Sequence, residues 1–204
     1  LSTPTAVLER YAEYLVQRGV RAVLVAPMLL GLDAVRRIAD RFPLFFMAHP
    51  TFTGSFFHDP DHGVDPGVLL GQWFRLIGCD ATIFPNHGGR FSFTPDECRS
   101  IVTAAREPLG TTPACWPTPA GGMSYERIPE MARDYGADAM LLIGGALLGD
   151  SGSLRDSTAR FRARILESCS GYRETTPARA DVAEAWAPRA SSRPSRSWGA
   201  RPCP

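Results

Sequence analysis

The sequence contains no lysine, because all 22 of its basic residues are arginines. A guanidinium stays protonated and is no amine nucleophile, so the chain supplies neither a Schiff base nor a carbamylated lysine. The net charge of +1 gives no reason to expect nucleic acid or an anionic membrane as a partner. Chemistry must therefore be sought among histidines, arginines and backbone groups.

Long apolar runs and a cysteine framework are missing as well. No run reaches the ~20 residues that a membrane helix needs, and no signal peptide is visible in the opening "LSTPTAVLERY". The five cysteines are scattered without CxxC spacing, which favours reduced thiols and a cytoplasmic location. Cys79, Cys115 and the neighbouring Asp80 are interpreted as packing or strand-edge residues.

Helical and strand patterns alternate along most of the chain. The spacing of apolar residues predicts helices over 3–19, 31–42, 65–78, 94–107, 125–136 and 153–169. Short apolar runs predict buried strands over 21–26, 44–49, 81–84, 111–118 and 139–145. Thr94, Pro95 and Glu97 form a capping-box signature. Strands that each precede a helix indicate a parallel α/β sheet, which is either open and doubly wound or part of a barrel.

The composition changes near residue 170. From there the chain is rich in Pro, Arg, Ser and Ala without an apolar period. Such a segment is predicted to be disordered or loosely attached, and out-of-frame read-through is an alternative origin. We therefore divide the chain into a domain of residues 1–169 and a tail of residues 170–204.

The loops after the predicted strands contain all four histidines and the single asparagine. In parallel α/β folds these loops form the functional site. His49 ends a strand and is a candidate acid/base or substrate donor, although a histidine bonded into the rim would look the same. His58, Asp59, Asp61 and His62 allow a metal site, but a solvated turn is the plainer interpretation.

Two glycine pairs and one arginine complete the candidates. Gly121-Gly122 and Gly144-Gly145 follow consecutive strands, where freed backbone N–H groups bind phosphate well. Tight turns between strand and helix are the alternative. Arg90 follows a glycine hinge and could pair with an anion, or it could be a surface residue. His87 stays open between a site role and a loop role.

Four motifs, "MAHPTFTGSFF", "LGQWFRLIGCDATIFPNHGGRFSF", "PTPAGGM" and "LLIGGALLG", resemble the large-subunit barrel of RuBisCO. They resemble the RuBisCO-like proteins (form IV) more closely, over about residues 1–168. The resemblance implies a partial TIM (β/α)8 barrel whose five strands are strands four to eight. It also implies a mobile loop six at "PNHGGRF" and a C-terminal fragment that begins inside the family's third helix.

The resemblance also implies site residues. His49 matches an active-site histidine, Gly122, Gly144 and Gly145 match phosphate-binding positions, and Arg90 stands where carboxylases place a lysine. Pro50, Ile83 and Ala120 replace groups that would hold a second phosphate, so a monophosphorylated substrate is expected. The prediction is catalytic His49 and Arg90, with substrate bound by Asn86, His87, Gly89, Gly121, Gly122, Gly144 and Gly145.

The implied activity uses Mg²⁺, whose ligands would lie outside this chain, to stabilise an enediolate of a phosphorylated sugar-derived substrate. The preferred reaction is decarboxylation of a phosphorylated 3-oxo sugar acid, because Arg90 could bind a carboxylate. A methionine-salvage enolase or isomerase is the alternative, and a bisphosphate carboxylase is disfavoured. A homodimer is implied. An inactive truncated fragment and a phosphate-binding barrel without metal are the remaining rivals.

Overall fold

The computed structural model describes residues 1, 3–59, 61–91, 93–150 and 152–170. Its sheet consists of four parallel strands in the order β1-β2-β3-β4. They are β1 (Ala22–Val25), β2 (Phe45–Ala48), β3 (Ala81–Pro85) and β4 (Trp116–Ala120). Spatial order follows chain order without a reversal, which is the arrangement of a barrel wall and not of a doubly wound sheet.

Helices connect the strands and cover one face of the sheet. The α-helices are α1 (Thr5–Gln17), α2 (Pro27–Leu30), α3 (Leu32–Arg41), α4 (Phe74–Leu76), α5 (Pro95–Arg106), α6 (Ile128–Tyr135), α7 (Gly145–Leu148) and α8 (Leu154–Cys169). The capping box of α5 is confirmed: the Thr94 hydroxyl accepts from the Glu97 amide at 3.2 Å, and the Glu97 carboxylate accepts from the Thr94 amide at 2.7 Å.

The helix expected over 65–78 has a different form. Gly67–Trp73 is a π-helix, and only Phe74–Leu76 continues as α4. This segment lies so close to α5 that a Cβ on Gly71 would be 2.7 Å from the Ala104 Cβ. Glycine is required at that close approach.

The prediction of a fifth regular strand over 139–145 is wrong, because the described chain forms no regular strand there. The segment has one parallel bridge, between Ala120 and Leu142. The amides of Met140 and Leu142 donate to Pro117 and Pro119 at 3.0 and 3.1 Å. Because both partners are prolines without an N–H, β4 can accept bonds along this edge but donate none.

The core lies between the sheet and the helices. Val25 and Phe46 point into it, with Ile38 and Phe74 from the helical layer, and all are almost fully buried. In β1 and β2 the strand residues that face the other way are more open, and Leu24 is 45% exposed, whereas β3 is buried on both faces from Ala81 to Phe84. The described chain is therefore a parallel wall with helices on one face, as the resemblance to part of a barrel implies.

No helix in the described ranges has the length and apolarity to span a membrane.

Candidate functional site

The carboxyl ends of the parallel strands bring the predicted loops to one edge of the sheet. Pro85 is in register with Ala120, and the Asn86 amide donates to the Ala120 carbonyl at 2.9 Å. The His49 amide donates to the Val25 carbonyl at 2.7 Å. The loop after β3 and the turn after β4 are thus direct neighbours.

His49 is exposed at the end of β2. Its Nδ1 lies 2.5 Å from the Thr51 hydroxyl oxygen, which orients the ring. Thr53 turns the chain back by donating to the Pro50 carbonyl at 2.7 Å. With Nδ1 engaged, Nε2 is the ring nitrogen that can exchange a proton with a bound molecule.

Asn86 is buried and its side chain is bound within the protein. The Tyr135 hydroxyl donates to its Oδ1 at 2.5 Å, and its amide donates to the sulfurs of Met123 and Met131 at 3.3 and 3.0 Å. Burial raises the pKa of Tyr135 well above its usual value, which keeps the hydroxyl protonated as a donor. The Asn86 side chain therefore anchors the loop to α6, and its substrate role stays a prediction.

His87 is also buried, beside two carboxylates of α6. Its Nε2 lies 3.2 Å from Oδ2 of Asp134 and 3.8 Å from Oε1 of Glu130. Nη2 of Arg127 lies 3.3 Å from its Nδ1. Because a guanidinium can only donate, Nδ1 is the acceptor and Nε2–H donates to Asp134. His87 is thus held by α6, and its substrate role also stays a prediction.

Arg127 is the residue that the sequence reasoning missed. Its Nη1 donates to the carbonyls of His87 at 3.0 Å and Gly122 at 2.8 Å. Its Nε and Nη2 donate to Glu130 at 2.9 and 3.1 Å. Hydrogen bonding to Glu130 raises the pKa of Arg127, and the same bond lowers the pKa of Glu130. The i,i+3 pair was visible in "RIPE", but its two carbonyl partners were not.

The loop of residues 86–91 packs directly on the first glycine pair. Gly122 has φ +61°, and a Cβ there would lie 2.8 Å from both the Cα and the N of Gly89. By contrast, a Cβ on Gly144 or Gly145 meets nothing within 4 Å. Steric contact with the loop therefore requires glycine at Gly122, and the described residues set no such requirement at Gly144 or Gly145.

Arg90 lies at the exposed tip of the same loop. Its guanidinium carbon is 5.0 Å from the centre of the Phe91 ring, a cation–π contact. The structure brings together the residues of the β3 loop and the β4 turn, while His49 and Arg90 stand at exposed positions on the same edge. Their catalytic roles stay predictions.

Among the described residues, two groups combine side chains of the kinds that bind metals. His58, Asp59, Asp61 and His62 are exposed, and the Asp61 amide donates to Asp59 at 2.9 Å, which is a solvated turn. Within the described ranges, the potential ligand atoms of His87, Glu130 and Asp134 lie within 4.8 Å of one another. Arg127 already binds Glu130, and Mg²⁺ prefers oxygen ligands and water. These residues do not fit Mg²⁺ and form an ion-pair network instead.

The buried cysteines behave as packing residues. Cys79, Cys98 and Cys115 are buried and unpaired, and Cys169 is unpaired and partly buried. Burial raises the pKa of the Cys79 and Cys115 thiols, so both stay protonated. The Asp80 carboxylate accepts from the Phe46 amide at 2.9 Å, which ties two strands. Cys203 and the tail from 171 onward lie outside the described residues.

No family model matches the chain. It is 40% identical over 159 residues to "Ribulose bisphosphate carboxylase-like protein 1" of Rhodopseudomonas palustris, covering 78% of this chain and 42% of that protein. It is 41% identical over 153 residues to the 5-methylthioribulose-1-phosphate isomerase of Rhodospirillum rubrum, covering 74% and 39%. A 2,3-diketo-5-methylthiopentyl-1-phosphate enolase of Exiguobacterium sibiricum is 28% identical over 175 residues, covering 84% and 43%.

A comparison with solved structures gives the same relationship. The crystal structure of a RuBisCO-like protein from Rhodopseudomonas palustris superposes with a TM-score of 0.71 at 36% identity, covering 81% of this chain and 43% of that one. The chain spans about two fifths of the length of these relatives. The expected resemblance and the partial barrel are confirmed. The chain therefore belongs to the family of RuBisCO-like proteins.

Proposed function

We propose that the protein to which this chain belongs is an enzyme that isomerises a monophosphorylated, sugar-derived substrate of the 5-methylthioribulose 1-phosphate type. The observation that carries the proposal is the 41% identity to the isomerase of that name. The 2,3-diketo-5-methylthiopentyl-1-phosphate enolases are more distant, at 28% for the one from Exiguobacterium sibiricum. The comparisons favour this alternative over the decarboxylation that Arg90 had suggested.

A single phosphate suits the residues at the strand ends. Ala120 and Ile83 offer no charged or hydrogen-bonding side chain, and Pro50 lacks even its N–H. Backbone N–H groups at the glycine turns remain as the anion-binding groups, with Arg90 as a cation that could approach from the loop tip. The side chains of Pro50, Ile83 and Ala120 would therefore give a second phosphate no partner.

Isomerisation requires a proton to leave a carbon next to a carbonyl and another to return to the neighbouring carbon. His49 has the position for such an exchange, because Thr51 holds Nδ1 and the residue is exposed directly after the carboxyl end of β2. Arg90 would stabilise negative charge on the substrate oxygen. The described cluster of His87, Glu130 and Asp134 does not fit Mg²⁺. A cytoplasmic homodimer is part of the same proposal.

The test uses the polypeptide encoded by the whole reading frame that contains residues 1–204. It is incubated in D₂O with 5-methylthioribulose 1-phosphate, and deuterium uptake next to the carbonyl is followed by NMR. Turnover with wild type, and at least about a 100-fold loss with His49→Gln, is expected for a general acid/base. Thr51→Val should have a smaller effect, because it only releases the ring.

Parallel assays separate the rivals. Turnover of the 2,3-diketo phosphate alone would favour the enolase, and release of CO₂ from a phosphorylated 3-oxo sugar acid alone would restore the decarboxylase. Either result overturns the isomerase proposal. Full activity of His49→Gln would remove the role given to His49 and leave the substrate assignment intact.

A further inference from the structure

A single guanidinium joins loops that follow two different strands. Nη1 of Arg127 donates to the His87 carbonyl beyond β3 and to the Gly122 carbonyl beyond β4, at 3.0 and 2.8 Å. Its Nε and Nη2 donate to the carboxylate of Glu130, one turn along α6. Because the guanidinium is planar with donors on several edges, it can be fixed by one partner while it holds two others.

Two glycines of the loop lie very close to this guanidinium and to the turn. A Cβ on Gly88 would lie 2.9 Å from Nη1 of Arg127, and Gly88 has φ +71°. A Cβ on Gly89 would lie 3.1 Å from the Gly122 nitrogen. Loop, turn and guanidinium therefore form one unit, and a shift of Arg127 would move the loop relative to the turn.

We propose that Arg127 is a positioning residue that clasps the loop of residues 86–91 to the Gly121-Gly122 turn. The two loops then present one common surface to the substrate phosphate, and Arg90 is carried at a set distance from the turn. The nature of the ligand rests on the proposed function, but the clasp itself does not. Arg127 does not touch substrate in this assignment and acts through the two loops.

The same contacts argue against a metal at this place. A cation held by His87, Glu130 and Asp134 would have to displace the Arg127 guanidinium from Glu130. It would also have to replace the proton that Nε2 of His87 shares with Asp134. The observed ion pairs satisfy these groups without an ion, so the network serves the loops.

The experiment compares the full 204-residue chain with Arg127→Met, Arg127→Lys and a matched control. The control is Arg99→Met, because Arg99 also forms an i,i+3 ion pair, with Asp96, and donates to no loop carbonyl of the described chain. Amide hydrogen exchange is measured by mass spectrometry for peptides covering 87–91 and 121–123. Trypsin cleavage after Arg90 is a second readout, and the absence of lysine simplifies the digest.

In Arg127→Met, exchange of the two loop segments should rise about 10- to 100-fold, because two bonds to loop carbonyls are lost. Cleavage after Arg90 should accelerate by a similar factor. Arg127→Lys should recover only part of the protection, since an ammonium lacks the planar set of N–H donors of a guanidinium. Exchange within α5 should stay unchanged in all variants, which confirms that they fold, and Arg99→Met should match wild type throughout.

Three outcomes would overturn the proposal. Unchanged loop exchange in Arg127→Met means that other contacts hold the loop. An equal rise across α6 means that Arg127 stabilises only its own helix. Full protection in Arg127→Lys means that a positive charge alone is sufficient and that the planar guanidinium is not required.

Inorganic phosphate then tests the binding of a ligand separately from the role of Arg127 in joining the loop to the turn. Millimolar phosphate should slow exchange at 121–123 in wild type and have at least about 3-fold less effect in Arg127→Met. A wild type that ignores phosphate while the variant loops exchange faster overturns the common phosphate surface and leaves the clasp. A phosphate effect without isomerase turnover counts against the proposed substrate alone.

Discussion

The two glycine pairs look alike in the sequence, but the described structure constrains them differently. Gly121 and Gly122 both adopt positive φ, and Gly122 lies against the backbone of Gly89. Gly144 has φ −122°, and among the described residues a Cβ on it or on Gly145 would meet no atom within 4 Å beyond its chain neighbours and its own helix. The fold requires the first pair, whereas the described chain gives no steric reason for the second. A glycine doublet alone therefore does not distinguish a turn from a ligand site.

The sharpest test of this comparison is Gly122→Ala. The left-handed φ and the contact with Gly89 should together destabilise the chain by roughly 2–4 kcal/mol. Urea unfolding followed by circular dichroism measures the loss. A change below about 0.5 kcal/mol would mean that the loop lifts off easily and that the first pair resembles the second.

Tyr135→Phe probes the anchor that holds the first pair's neighbouring loop. Removing the hydroxyl leaves the buried Oδ1 of Asn86 without this donor, which should cost about 1–3 kcal/mol. The unfolding free energy from urea titration gives the value. Tyr14→Phe, at an exposed site on α1, is the control and should be neutral. Equal stability of Tyr135→Phe and wild type would contradict the anchoring of the loop to α6.

Gly121→Ala separates conformation from contact. Gly121 has φ +83° but open space at its Cβ position, so only the strain of the left-handed region is added, about 1–2 kcal/mol. The loss should be smaller than in Gly122→Ala in the same urea assay. A larger loss would show that the contact with Gly89 is not what distinguishes the two positions.

Gly145→Ala should leave the fold intact or stabilise it by up to ~1 kcal/mol, because Gly145 lies in α7, where alanine is the better residue. If this pair is glycine to admit a ligand, the variant should bind inorganic phosphate several-fold more weakly. Unfolding and phosphate titration by NMR are measured on the same sample. Unchanged phosphate binding would remove the ligand explanation for the second pair.

The smallest expected effect is a pH dependence through Glu130. Arg127 lowers the pKa of this carboxylate below its usual 4.5, so the unfolded chain takes up the proton first. The resulting stabilisation is present above about pH 4.5 and is lost as the pH falls through the folded pKa. The stability gap between wild type and Glu130→Gln should therefore shrink below that pH. A gap that widens in acid would contradict the ion pair.

Much of the fold could be predicted from local chemistry. The apolar spacing gave α1, α3, α5, α6 and α8 to within a few residues, and the capping box at Thr94 formed as expected. The fifth strand failed because an apolar run does not reveal that its neighbour carries Pro117 and Pro119 on the shared edge. The π-helix at Gly67–Trp73 had no signal in the periodicity.

The candidate site was predicted in its location but not in its internal contacts. Loops after parallel strands must meet at one edge, so the histidines and glycine pairs could be assigned to it. The orientation of Asn86 and His87 toward α6 depends on side chains about 40 to 50 residues later in the chain. No local pattern near residue 86 contains that information.

The sequence by itself determined the alternation of strands and helices, the clustering of polar residues after strand ends and the family resemblance, since all three depend on nearby residue types. Only the tertiary structure decided which glycine pair is sterically required and that Arg127 connects two loops. The physical reason is that backbone contacts such as Gly89 with Gly122, and hydrogen bonds to carbonyls, arise between segments distant in the chain. Carbonyl oxygens are present at every residue, so their use leaves no mark in the sequence.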